Sequence, residues 1–180
     1  RKIEQRCDDS VLRPVAGVPT LIRRSRGYVP EYINLPFTSP YQAMISVGAE
    51  LNNTASIARF NRIFPTQHIG NIRNLATYQF LNHAIHHLVR LLKIPFSEIE
   101  IIIRDKHPEF LSSQLANTLA KPKRKLNNEH AYPDIPVHSV QHHHAHLAAL
   151  MIDHELGLED QIVAITVDGV GFGEDTEPWG

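Results

Sequence analysis

The stretch that most limits the folds open to this chain is residues 137–173, VHSVQHHHAHLAALMIDHELGLEDQIVAITVDGVGFG. It reads as a short strand, a helix opening with histidines, a second strand over 162–167 and a glycine-rich turn. His142 and His146 are four residues apart, so on a helix they share one face and can hold one metal ion. Asp168-Gly169-Val170-Gly171-Phe172-Gly173 follows the apolar run. A carboxylate at a strand end, followed by glycines that let phosphate approach the backbone, is the outline of a nucleotide site.

Around the histidine helix nearly every direction is apolar: Leu147 and Met151 on one side with Leu150 beside them, Ala148 and Ile152 opposite. Such a helix is expected to be largely buried. Its one polar stripe is His142, His146, Ala149 and Asp153. Two neutral imidazoles on that stripe need partners, which a metal would supply and so would hydrogen bonds to carboxylates or water. Asp153 either orients a ring or ends the helix in solvent. His143 and His144 point elsewhere and read as structural. A zinc protease would need H-E-x-x-H, and His143 stands where the glutamate base belongs.

Residues 74–93 serve as the control for spacing. Tyr78, Leu81, Ile85, Leu88 and Leu92 step by three and four and predict an amphipathic helix. His83 and His87 share the i, i+4 spacing, and His86 adjoins them, but they read as solvated. Spacing alone therefore proves little.

The other elements fall around these. Residues 11–13 and 20–22 flank Ala16-Gly17-Val18-Pro19 as a hairpin. Arg23-Arg24-Ser25-Arg26-Gly27-Tyr28-Val29-Pro30 is either a solvated edge or a phosphate- or carboxylate-binding run. Pro30, Pro36 and Pro40 suggest a linker over about 31–40. Residues 43–48, 54–60 and 63–68 predict a three-strand meander, with the Gly48-Ala49-Glu50-Leu51-Asn52-Asn53-Thr54 turn a weak phosphate-facing candidate. Ile101-Ile102-Ile103 is the continuous apolar run of a buried parallel strand ended by Asp105. Residues 109–119 predict a helix, and 121–130 a polar loop.

Composition narrows the class. Hydrophobic content of 42% and charged content of 21% belong to a folded globular chain. A net charge of −1 gives no field to recruit nucleic acid or an anionic membrane. Cys7 is the only cysteine, which excludes an internal disulfide and a cysteine zinc site and suits a reducing cytoplasm. No apolar run approaches the ~18 residues of a membrane span. The start without Met, and the stop at Pro178-Trp179-Gly180 just after a strand–turn, suggest a piece of a longer protein.

The motifs carry a resemblance. Arg23 to Pro30, Gly48 to Thr54, Gln67-His68-Ile69-Gly70, Asp105-Lys106-His107-Pro108, Gln141-His142-His143-His144-Ala145-His146 and Asp168 to Gly173 stand in the order and spacing of HypF, the carbamoyltransferase family that matures [NiFe]-hydrogenases. The resemblance implies an α/β fold. Residues 1–36 would be the tail of a YrdC-like α/β domain, and residues 37–158 the first lobe of a TsaD-like (ASKHA) domain with mixed sheet and flanking helices. Residues 159–180 would begin the second lobe.

It further implies carbamoyl phosphate and ATP as substrates, a carbamoyl adenylate intermediate, and transfer to the C-terminal cysteine of a HypE-type partner. His142 and His146 would hold a divalent metal (Zn or Fe), with Asp168 catalytic and near the phosphate or metal. Glu50, Asn53 and Thr54 would form the first phosphate loop, and Asp168, Gly169, Gly171 and Gly173 the second. The family tends to have Gly after the position of Asp175, where this chain has Thr176, and Pro178 is a further departure. Two other classes stay open: a TsaD-type tRNA threonylcarbamoyl transferase, and a non-catalytic metal- or nucleotide-binding module.

Overall fold

The computed structural model describes residues 3–121 and 134–179. A first unit is the antiparallel hairpin β1 (Val11–Val15) and β2 (Val18–Arg23). It turns through Ala16 and Gly17 at φ 49° and 82°, as a tight two-residue hairpin turn requires.

The main body is a six-stranded mixed sheet. Its strands are β3 (Ile33–Asn34), β4 (Ala43–Ser46), β5 (Ser56–Arg59), β6 (Arg62–Pro65), β7 (Ile99–Asp105) and β8 (Val137–Val140), in the order β3-β6-β5-β4-β7-β8. The expected meander is β4–β5–β6, all antiparallel. The triple isoleucine lies in β7, which runs parallel to β4 on one side and to β8 on the other. The linker expected over 31–40 is corrected in part: its Ile33 and Asn34 pair with β6 at the sheet edge.

One face of the sheet holds the core. Ile45, Val47, Ile57 and Ile102 pack under α1 (Leu75–Leu91) and α2 (Leu111–Leu119). Asn74 caps α1 by accepting from Thr77 N–H at 3.0 Å, and Leu81, Ala84, Ile85, Leu88 and Val89 form its buried stripe. The histidine control behaves as a surface feature: His83 is exposed, and His86 and His87 are half-buried.

The other face, with Met44, Ser46, Ala58 and Ile103, lines an apolar groove of about 550 Å³ beneath α3 (His142–Asp153). Two expectations fail here. Only His143 of α3 is buried, and Leu150 is 54% exposed. Residues 162–167 form no strand, with Val163 fully exposed. Apolar surface gains only when another surface covers it, and the described residues cover α3 in part, leaving Leu147, Met151 and Ile152 half-buried, and leave most of 162–167 open. A short hairpin, β9 (Gly171–Phe172) with β10 (Pro178–Trp179), follows. The expected loop over 121–130 lies outside the described residues beyond Lys121.

Candidate metal centre

Parallel strands end at the same edge of a sheet, and this fact builds the site. β7 and β8 pair so that Asp105 lies opposite Val140. The chain leaves β8 through Gln141 and at once enters α3. Gln141 is buried at that junction and accepts from His144 N–H at 3.0 Å, capping the helix that carries the histidines. His142 therefore begins α3 directly above the end of β7.

There, His142 Nδ1 meets Asp105 Oδ2 at 2.8 Å. The carboxylate can only accept, so the ring donates from Nδ1 and leaves the Nε2 lone pair facing outward. The other oxygen, Asp105 Oδ1, accepts from the backbone N–H of His107 at 2.8 Å. Both acceptors of this buried carboxylate are thus engaged.

Two further atoms converge on His142 Nε2. His146 Nε2 is 3.2 Å away, one helical turn along, and Asp168 Oδ2 is 3.1 Å away. His146 Nε2 and Asp168 Oδ2 are 3.4 Å apart, and His143 Nε2 stands 4.0 Å from the same carboxylate oxygen. Asp168 is held below the usual carboxylate range first by the Gly169 N–H donated to it at 2.6 Å; burial opposes this next, and His142, His146 and His143 each add a smaller lowering. It is an anion at neutral pH. Its Oδ2 and His143 Nε2 are shut off from water with no hydrogen-bond partner.

Lone pairs aimed at one another repel unless something positive sits between them. A proton on one ring can satisfy one pair, but a cation satisfies all three donors at once. Ligands 2.0–2.1 Å from a tetrahedral zinc lie about 3.4 Å from each other, close to the separations of His142, His146 and Asp168. The donor set, two imidazoles and one carboxylate, therefore fits a divalent metal.

The remaining expected residues divide. Gly171 belongs to the centre: a Cβ there would lie 3.1 Å from His143 Nε2 and 3.2 Å from His142 Cβ, so a side chain would push the rings by a few tenths of an ångström where glycine lets the strand rest on them. Gly169 has open space around it. A Cβ on Gly173 would run into Trp179 and Asp175, so Gly173 closes the β9–β10 hairpin.

In the first expected phosphate loop, Gly48 and Ala49 line the groove beside His142 and His146. The side chain of Glu50 is buried and accepts from Leu111 N–H at 3.0 Å, at the start of α2. Asn53 is buried, its Nδ2 donating to the carbonyls of Val47 and Ala49. Both side chains are committed to shaping the turn. Thr54 faces a second cleft with Arg23, Arg24, His68 and Asp153, away from the histidine cluster.

Asp153 as a ring-orienting carboxylate is corrected: it is exposed at the far end of α3, and Asp105 does that work. The signal was in the sequence. An acidic residue ending a buried parallel strand is a site candidate wherever the next parallel strand ends beside it.

Residues 39–153 match the model of the HypF Kae1-like domain. The chain belongs to the HypF family. It is similar to the carbamoyltransferase HypF of Synechocystis, 38% identical over 174 residues, which takes in 96% of this chain and 20% of that protein. It is also similar to the probable carbamoyltransferase HypF of Methanocaldococcus jannaschii, 37% identical over 180 residues, with 100% and 22% covered. The chain thus spans about a fifth of the length of these HypF relatives.

Two solved HypF structures share its fold. One is a full-length HypF in a phosphate- and nucleotide-bound form, with a TM-score of 0.80, 31% identity, and 97% of this chain and 25% of that one covered. The other is HypF from T. kodakarensis, with a TM-score of 0.81, 36% identity, and 97% and 21% covered. The expected ASKHA-type α/β fold, with a mixed sheet and flanking helices, agrees with both. Among the described residues no helix is long and apolar enough to cross a membrane.

Proposed function

We propose that this chain carries the metal-binding half of a carbamoyl-transfer site, in a HypF-type enzyme that uses carbamoyl phosphate and ATP and passes the carbamoyl group to the terminal cysteine of a HypE-type partner. The observation that carries the reading is the convergence of His142 Nε2, His146 Nε2 and Asp168 Oδ2, with His142 fixed from behind by Asp105. When bound there, a divalent cation (Zn or Fe) would neutralise phosphate charge and polarise the group being transferred.

The chain's own contributions are distinct. Asp105 holds His142 in the tautomer that presents Nε2. His146 and Asp168 complete the donor set. Gly171 admits the backbone close to the rings, and Gly48 and Ala49 form a wall of the adjoining groove, where a nucleotide such as the adenylate would approach. Residues 1–36 as the tail of a YrdC-like domain, 37–158 as the first lobe and 159–180 as the start of the second belong to the same proposal, as does a cytoplasmic setting. The near-neutral net charge favours this reading over a tRNA-directed transferase.

The test is metal content by plasma mass spectrometry, with His142→Ala, His146→Ala and Asp168→Ala compared with His83→Ala. Near-stoichiometric metal lost in the first three and kept in the fourth supports the site. A folded, metal-supplemented wild type that holds none sinks it. Carbamoyl transfer by the full-length protein should fail in the same three variants.

A further inference from the structure

Among the described residues, the third member of the centre arrives on a segment that no strand flanks. Val163, Ile165 and Val167 are 100%, 88% and 90% exposed, so the run leading to Asp168 is not held by a sheet. Yet Asp168 sits within 3.4 Å of both histidines. Downstream of it the Gly171 backbone lies against His142 and His143, and the remaining contacts of the hairpin with the end of β7 involve two residues. Lys106 forms an ion pair with Glu174, its side chain only 23% exposed. The ring of Phe172 meets His107 edge-on at 5.3 Å, and His107 itself lies flat on Phe110 at 4.2 Å, at the threshold of α2.

Lys106 and His107 directly follow Asp105. One tripeptide at the end of β7 therefore touches both halves of the centre. Asp105 orients His142, while its two neighbours grip the hairpin that bears Asp168. The Asp105 carboxylate also accepts from His107 N–H, which ties the two functions into one rigid turn.

We propose that Lys106 and His107 are positioning residues, clamping Glu174 and Phe172 so that Asp168 is brought over the His142–His146 pair. This rests on the metal reading for its consequence, but the clamp is a statement about the loop itself. The Lys106–Glu174 pair is partly exposed and the aromatic contact is a single edge, so each is a modest hold, and together they add to the Gly171 contact in fixing where the segment lies.

Two measurements on the full-length protein test it. The first, on metal-free protein, is amide hydrogen exchange of the peptide spanning residues 165–175. Lys106→Ala and Phe172→Ala should each speed exchange about three- to fivefold, and the charge swap Lys106→Glu with Glu174→Lys should return it to within about twofold of wild type. The second is zinc affinity by competition with a chromophoric chelator. Lys106→Ala should weaken it about three- to fivefold, the swap should rescue it, and in an Asp168→Asn background Lys106→Ala should cost nothing further.

Unchanged exchange in both single variants overturns the clamp. So does a Lys106→Ala loss that is as large without the Asp168 carboxylate as with it, because Lys106 would then act elsewhere. If wild type binds no zinc, the metal reading fails, and the exchange series alone decides the clamp.

Discussion

Replacing Asp105 with asparagine is the most searching perturbation of this centre, because it changes one atom and preserves shape. Asp105 accepts twice, from His142 Nδ1 at 2.8 Å through Oδ2 and from His107 N–H at 2.8 Å through Oδ1. Its side chain is only 5% exposed, so water cannot substitute. Asparagine offers one acceptor and one NH₂. If its oxygen serves His107, its NH₂ faces His142 Nδ1 and forces the ring to carry its proton on Nε2, removing the lone pair that faces His146 and Asp168. If its oxygen serves His142, two donors collide at His107. Loss of a ligand-orienting carboxylate of this kind costs about 10- to 100-fold in metal affinity.

The consequence is measurable without any turnover assay. At a zinc concentration of ~100 Kd, wild type should gain about 2.7 kcal/mol of stability, since the gain is RT ln(1 + [L]/Kd). A 30-fold weaker Asp105→Asn variant at the same zinc would sit at ~3 Kd and gain only about 0.9 kcal/mol. Chelator competition gives Kd directly, and thermal melts with and without zinc give the linked stabilisation. If Asp105→Asn binds zinc within about twofold of wild type while His142→Ala abolishes binding, the carboxylate does not set the ring, and the reasoning is refuted.

Other predictions follow from particular residues. His68 titrates below its ordinary value, mainly from burial and then from Arg23, with Asp8 opposing; protonation therefore favours the unfolded chain. Stability should be full above about pH 6.5 and decline as pH falls from there toward the folded-state value, and His68→Gln should flatten that part of a denaturant-midpoint profile. Gly48 has φ +71°, and a Cβ there would lie 2.7 Å from both Asn53 Nδ2 and Thr54 O, so Gly48→Ala should cost about 2–4 kcal/mol in chemical denaturation. Ile85→Ala empties a fully buried position in α1 and should cost about 2–5 kcal/mol by the same measurement. Thr176 sits at φ 70°, a left-handed conformation that a β-branched residue resists, and Thr176→Gly should slow amide exchange in the β9–β10 hairpin.

Local signals read well where the answer is local. The periodicity of α1, the meander and the hairpin at Ala16-Gly17 needed only neighbouring residues, and the structure agrees to within a residue or two at most ends. The continuous Ile101-Ile102-Ile103 run announced a parallel strand because both faces of such a strand must be apolar. Asp105 was harder. Its importance depends on which strand lies beside β7, a fact of topology 32 positions away at residue 137. Thr176 was visible as a departure from the family's glycine, and its positive φ gives the physical reason that glycine suits the position. The control histidines show the limit from the other side: His83 and His87 stack at 6.4 Å with the right spacing, but among the described residues no carboxylate converges on them.

The failure over α3 is the more instructive, because the hydrophobic pattern was read correctly and the inference from it was not. Leu147, Leu150, Met151 and Ile152 do make the helix apolar nearly all round, and residues 162–167 do have the composition of a buried strand. Composition says that a surface gains by being covered; it does not say what covers it. The core side of the sheet was legible because α1 and α2, which cover it, lie within the same hundred residues. The groove side, where α3, Met44, Ser46 and Ile103 face one another across about 550 Å³, was not. The metal centre sits at the boundary between these two regimes. His142 is fixed from the well-packed side through Asp105, while Asp168 comes from the sparsely packed side, which is why its position should be the more sensitive of the two to a single surface contact such as Lys106 with Glu174.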